Sequence, residues 1–174
     1  MKTKIIANLA ISLDGKIEGP NGEYDWCFTD QDYGMQEFLK QTNLIISGAK
    51  SYQTVVNEGG DLERYFGKIP WLVFSKNPVQ SHAFVTFIQH NAIAHIEQLK
   101  SNSSQNIWLF GGSIFFQSLL QAKLVDEMML SVHPIILGNG KDFFANIPHR
   151  IHLSLINCKT YESGLVQQHY QIVY

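Results

Sequence analysis

The sequence predicts an α/β fold, a three-layer αβα sandwich whose twisted sheet is mainly parallel with an antiparallel C-terminal edge. Three observations carry that expectation. Short uninterrupted apolar runs, Trp71-Leu-Val-Phe74 and Ile107-Trp-Leu-Phe110 among them, have the length and composition of strands buried on both faces. Amphipathic stretches separated from these runs by Gly, Ser or Asn read as covering helices. From Val125 onward the pattern changes to strands with no helix between them. With 174 residues the chain is long enough for one complete core and short for two, so one domain over 1–174 is expected.

Lys4 to Ser12 reads as the first buried strand. The loop from Asp14 to Cys27 follows, dense in Gly, Pro and Asn. A helix is expected over Asp30 to Gln41, with a cap at Thr29 or Asp30 and an apolar face at Met35, Phe38 and Leu39. Leu44 to Ile46 is a short strand, Gly48 to Val56 a turn into a helix, and Glu58 to Asp61 a break. Trp71 to Phe74 and Phe84 to Ile88 are strands, with a turn at Ser75 to Pro78 between them, and Ala92 to Lys100 is a helix. A polar loop over Ser101 to Asn106 leads into the strand at Ile107 and a helix ending at Leu120. Met128 to Val132, Ile151 to Asn157 and Leu165 to Tyr174 form the C-terminal strand group.

Composition narrows the function classes. Hydrophobic residues make up 45% and charged ones 16%, the profile of a folded chain. A net charge of -2 gives no electrostatic case for a nucleic-acid partner. The two cysteines, Cys27 and Cys158, are too few for a disulfide framework, so a reducing, cytoplasmic setting is expected. Met1 to Lys4 followed by Ile5 to Leu13 has the charge and apolar run of a signal peptide but no Ala-x-Ala-like site, and it reads as a first strand. No apolar run approaches the roughly 20 residues that span a bilayer. His95-Ile-Glu97 matches half of a zinc deaminase signature without the Pro-Cys-x-x-Cys that completes it, so no metal site is expected.

The chemistry concentrates after strands. Gly111 and Gly112 let the main chain approach an anion closely, and the helix opened by Ser113, Ile114 and Phe115 aims its positive end at the same point. Gly48, Lys50 and Ser51 repeat the arrangement after the second strand, and Ser75 and Lys76 follow the third. In an open α/β sheet ligands bind at the carboxyl ends of strands, so these turns can converge on one extended anionic molecule such as a dinucleotide. Taken singly, Lys50 and Lys76 read better as solvated loop residues than as phosphate ligands.

Six segments occur in an order that resembles the dihydrofolate reductase superfamily: Asn8-Leu-Ala-Ile-Ser-Leu-Asp-Gly15, Gly48-Ala-Lys-Ser-Tyr52, Val73-Phe-Ser-Lys76, Phe110-Gly-Gly-Ser113, Leu124-Val-Asp-Glu127 and Pro134-Ile-Ile-Leu-Gly138. The chain is most similar to the reductase domain of bacterial riboflavin-biosynthesis enzymes and their stand-alone, dihydrofolate-reductase-like relatives. The resemblance spans essentially the whole chain. It implies a reductase that binds NADPH and delivers hydride to a pyrimidine or pteridine-type small molecule. It further implies Gly48, Lys50 and Ser51 at the cofactor's phosphates, Ser75 and Lys76 at its adenosine 2′-phosphate, Gly111 to Phe115 at its diphosphate, and Ala10 and Ile17 beside the nicotinamide. A cis bond between Gly111 and Gly112 is implied too. One departure stands out: Ala49 occupies a place where the family commonly has arginine, which removes a planar five-donor phosphate contact and leaves Lys76 as the cation to replace it.

The resemblance offers Asp32 as a catalytic acid, with Asp30 one register away; both read also as helix N-terminal charges favoured by the macrodipole. Three functions follow as expectations: a reductase of the 5-amino-6-(5-phosphoribosylamino)uracil type, a dihydrofolate reductase, or a nucleotide-binding module without turnover. Few arginines, Arg64 and Arg150, weigh against a folate carboxylate tail. The apolar C-terminal strand Tyr170-Gln-Ile-Val-Tyr174 is a hazardous edge if uncovered, and relatives pair through their sheets, so a homodimer is expected.

Overall fold

A strand covered on both sides needs apolar side chains in both directions, and Ile5–Ser12 (β1) supplies them: Ile5 and Ala7 join one core cluster and Ile6 the other. In the computed structural model, which describes residues 3–57, 59, 61–77, 82–102 and 105–174, β1 lies parallel to both Asn106–Gly111 (β6) and Glu127–His133 (β7). Residues 1, 2, 58, 60, 78, 103 and 104, which entered the N-terminal, turn and loop expectations, lie outside the described residues.

Thr42–Gly48 (β3), Trp71–Phe74 (β4) and Val85–Ile88 (β5) continue the parallel array beyond β6. On the other side Val166–Val173 (β10) runs antiparallel to β7, and His152–Thr160 (β9) antiparallel to β10. The eight-stranded order is β5-β4-β3-β6-β1-β7-β10-β9, the mainly parallel sheet with an antiparallel C-terminal edge that the sequence predicts.

Helices cover the two faces separately. Ala92–Asn102 (α4) and Ser113–Gln121 (α5) bring Ile96, Phe116 and Leu119 onto Ile5, Ile107 and Leu109. Met35–Lys40 (α1), Ala49–Asn57 (α2) and Leu62–Phe66 (α3) bring Phe38, Tyr52 and Leu62 onto Ile45, Trp71 and Trp108. The alternation Ile107, Trp108, Leu109 splits one strand between the two clusters. Buried polar groups are satisfied where these layers meet: the Trp71 indole N–H donates to Ser47 Oγ at 2.8 Å, and the Trp108 indole to the Asn8 carbonyl at 3.0 Å. Glu127, 4% exposed, accepts from Lys4 Nζ and His169 Nε2 and thereby ties β7 to the residue before β1 and to β10. Burial raises its pKa, but the hydrogen bonds and charges of these two partners outweigh that and hold the carboxyl below its ordinary value.

Three elements depart from expectation. The first helix begins at Met35, not near Asp30, because Tyr33 and Gly34 both take left-handed backbone angles, φ 49° and 82°. No side chain caps Gly34; the Asp32 carboxylate instead accepts the amide of Gln36. Leu62–Phe66, where no helix is expected, forms α3 behind an Asp61 cap that accepts the Arg64 amide. Within the first long loop Lys16–Glu18 (β2) pairs with Lys141–Asp142 (β8). Among the described residues no helix is long and apolar enough to cross a membrane.

Candidate active site

A cavity of about 620 Å³ opens at the carboxyl ends of β1, β6 and β7. Its walls draw on both core clusters, Phe116 and Phe143 from one and Phe66 and Trp108 from the other, so it cuts across the edge of the sheet. Of the residues singled out from sequence, Ala10, Ile17, Asp32, Ser51, Gly111, Gly112 and Ser113 line it together.

The glycine turn forms one end. Gly111 sits at φ 138°, a conformation that side chains rarely adopt, and the Gly111–Gly112 peptide bond is cis, as the resemblance implies. The backbone angle holds Gly111 to glycine, and Ser51 crowds both positions: a Cβ would stand 3.3 Å from its Oγ at Gly111 and 3.1 Å at Gly112. Gly112 is the N-cap of α5 and accepts from Phe116 N–H. The amides of Ser113, Ile114 and Phe115 precede any acceptor of their own helix and are thus available to an anion. Ser113 is buried in the cavity wall, whereas Ile114 faces solvent at 77% exposure and Phe115 packs on Phe74 with ring centres 5.1 Å apart.

Of the neighbouring turns on the same sheet edge, Ser51 reaches the cavity lining, whereas Gly48, Lys50, Ser75 and Lys76 stand outside it. Gly48 pairs in register with Phe74, and Ser47 with Gly111. Ser75 Oγ donates to the Asn77 carbonyl, and Lys76 is exposed. Lys50 meets Glu18 at 2.8 Å, with Lys141 at 3.5 Å from the same carboxylate oxygen. Partial burial raises the Glu18 pKa, but the Lys50 hydrogen bond and the two lysine charges prevail and lower it.

The opposite end was less visible in the sequence. Ala10, Ser131 and Gln167 stand in one row across β1, β7 and β10, and Gln167 Nε2 donates to the Tyr33 carbonyl at 3.2 Å. Asp32 and Tyr33 line the cavity just before α1, while the Asp30 carboxylate is engaged by the Tyr33 hydroxyl at 2.7 Å. His133 is buried in the lining. Its Nε2 accepts the Phe28 amide at 3.1 Å, so Nδ1 carries the proton and donates to the Ser131 carbonyl at 3.0 Å. Burial lowers its pKa, against the raising effect of backbone bonds to Ser131 and Ile11. Cys27 lies in the same wall, its thiol pushed up to about 11 by burial and by the Asp25 charge.

A family model described as the RibD C-terminal domain matches residues 65–167. The chain belongs to that family. The protein YyaP of Bacillus subtilis (strain 168), described as uncharacterized, is 39% identical over 173 residues, covering 94% of this chain and 92% of YyaP. Among solved structures, a putative riboflavin biosynthesis protein from Shewanella sp. PV-4 superposes with TM-score 0.86 at 21% identity, covering 99% of this chain and all of that one. A diaminohydroxyphosphoribosylaminopyrimidine deaminase/5-amino-6-(5-phosphoribosylamino)uracil reductase from Thermotoga maritima gives 0.73 at 15% identity, with 99% of this chain on 57% of that protein. Dihydrofolate reductase from Enterococcus faecalis, complexed with NADP(H), gives 0.70 at 17% identity, over 100% of this chain and 99% of that one. These likenesses establish the dihydrofolate-reductase-like fold of this member of the RibD C-terminal domain family.

Proposed function

We propose that this chain, as one domain over 1–174, is a cytoplasmic NADPH-dependent reductase of the riboflavin-biosynthesis type, acting on a ribosylated aminopyrimidine. The observation that carries the reading is the continuity of one cavity from the Gly111–Ser113 turn, past Ala10 and Ile17, to Asp32 and Ser131. The turn fits a dinucleotide because Ser51 fills the space that side chains at Gly111 and Gly112 would need, leaving bare main chain for the diphosphate. Lys50, Ser75 and Lys76 on the same edge would meet the outlying phosphates, with Gly48 allowing the close turn. Ile114 and Phe115 contribute amides. A nicotinamide held there would supply the hydride for reducing the open-chain ribose carbon, while the chain would contribute position, shelter from water and a proton source.

Asp32 is the carboxyl group assigned to the proton. The same group supports dihydrofolate reduction as a second reading, since it lines the cavity beside an aromatic wall. Mixing purified protein with NADPH and following nicotinamide fluorescence tests the cofactor; adding the aminopyrimidine or dihydrofolate and following NADPH oxidation separates the two substrates. Binding of NADPH with no oxidation in either case would mark a nucleotide-binding module. We further infer a homodimer through β9, all of whose nine residues are exposed, Leu153, Leu155 and Ile156 included.

A further inference from the structure

Asp32 and Glu18 are the carboxylates in the cavity lining, and among the described lining residues there is no lysine or arginine. The two acids differ in what they meet. Glu18 is matched by Lys50 and Lys141, while Asp32 receives the Gln36 amide and no cation within ion-pair reach among the described residues. The remaining ionisable groups at that end carry no charge at neutral pH: His133 has Nε2 committed as an acceptor, and Cys27 is a thiol. Nine lining residues are Phe, Tyr or Trp, which favours a flat ring held by stacking. Two further cations lie over rings: Arg64 over Tyr65, in the lining, at 5.9 Å, and Lys159 over Tyr161, outside it, at 4.5 Å.

At the Asp32 end, away from the helix amides of the Gly111–Phe115 turn, a phosphate or carboxylate would meet a carboxylate and no cation. We propose that the substrate of this cavity is a flat heterocycle, uncharged or cationic, that carries no phosphate or carboxylate. The aminopyrimidine it accepts is thus the nucleoside rather than the phosphorylated compound named for the Thermotoga maritima protein. The inference rests on the reductase reading for the site and concerns the substrate end alone.

The test compares the aminouracil nucleoside with its 5′-phosphate on the full chain, NADPH affinity being measured first by nicotinamide fluorescence. Binding of each compound is then followed by tryptophan quenching, which needs no turnover. The nucleoside is expected to bind at least about tenfold more tightly. Asp32→Asn should narrow the gap several-fold by improving the phosphate, and Arg64→Ala and Lys159→Ala should leave it unchanged. Equal or tighter binding of the phosphate, or loss of its binding in Arg64→Ala or Lys159→Ala, would overturn the proposal, as would failure of the nucleoside to bind a protein that binds NADPH. Failure of NADPH to bind while the nucleoside is still preferred would remove the reductase reading and leave the cavity's selectivity standing.

Discussion

The Phe28 amide donates to His133 Nε2 across 105 residues of sequence, and this bond fastens the segment that roofs the cavity to the end of β7. Trp26 and Phe28 both set their rings edge-on to the same imidazole, at 5.3 and 5.0 Å. An imidazole can accept that bond only while neutral. The His133 pKa lies below its ordinary 6.5 in the folded chain, so the neutral form is favoured by folding. Its contribution to stability is complete above pH 6.5 and is lost as the pH falls through the lowered value. A fluorescence change from Trp26, absent in Trp26→Phe, is expected on acidification below pH 6.5 and should vanish in His133→Leu. A flat signal from pH 7.5 to the acid limit of folding would refute this fastening.

The contact between Ser51 and the glycine turn separates two mutations that look alike. Gly112 has ordinary backbone angles, φ -83° and ψ -172°, so an added methyl group is opposed chiefly by Ser51 Oγ at 3.1 Å. Gly112→Ala should lower stability by about 1–3 kcal/mol, and Ser51→Ala in the same chain should recover much of it. Gly111→Ala should not be recovered, because φ 138° strains any side chain there. Denaturant midpoints of the three single variants and the two doubles with Ser51→Ala decide the matter.

Lys76 is the expected partner of the 2′-phosphate, and it has no counterpart at Ala49. Lys76→Ala should weaken NADPH by about ten- to a hundredfold, the size of a lost charge-assisted bond, with little change for NADH. Lys50→Ala should weaken both alike and less, since Lys50 already meets Glu18. Equal losses for the two cofactors in Lys76→Ala, read by nicotinamide fluorescence, would move the 2′-phosphate elsewhere.

Leu155, 57% exposed on β9, tests the expected homodimer. Leu155→Glu should convert a dimer mass to a monomer mass in light scattering at micromolar concentration. A monomer before mutation would remove the pairing.

Elements built by local pattern were legible in the sequence. Trp71-Leu-Val-Phe74 is a strand because four apolar residues in a row need cover on both faces, and the covering helices are there. The glycine turn was equally readable, since its strand, its bare main chain and its helix are contiguous. What could not be read depends on distant partners. The start of α1 is set by left-handed Tyr33, a non-glycine residue held by bonds to Asp30 and Ser163, which outweigh a well-placed cap at Asp30. Lys16–Glu18 is a strand only because Lys141 and Asp142 lie beside it. The substrate end is of this second kind: Ser131, His133 and Phe28 have no shared signal in the sequence, and only the closing of the sheet assembles them.

The Asp14 carboxylate accepts the Ser12 hydroxyl and the amides of Leu137 and Gly138, bonds that hold its pKa down to about 2. The Leu13 amide meets the Ile135 carbonyl, and that of Phe143 the Gly15 carbonyl. Two loops more than a hundred residues apart are therefore laced into a single unit. Anyone exchanging loops between relatives to retune specificity must transplant both together, because either one alone would arrive without the acceptors and donors that give it shape.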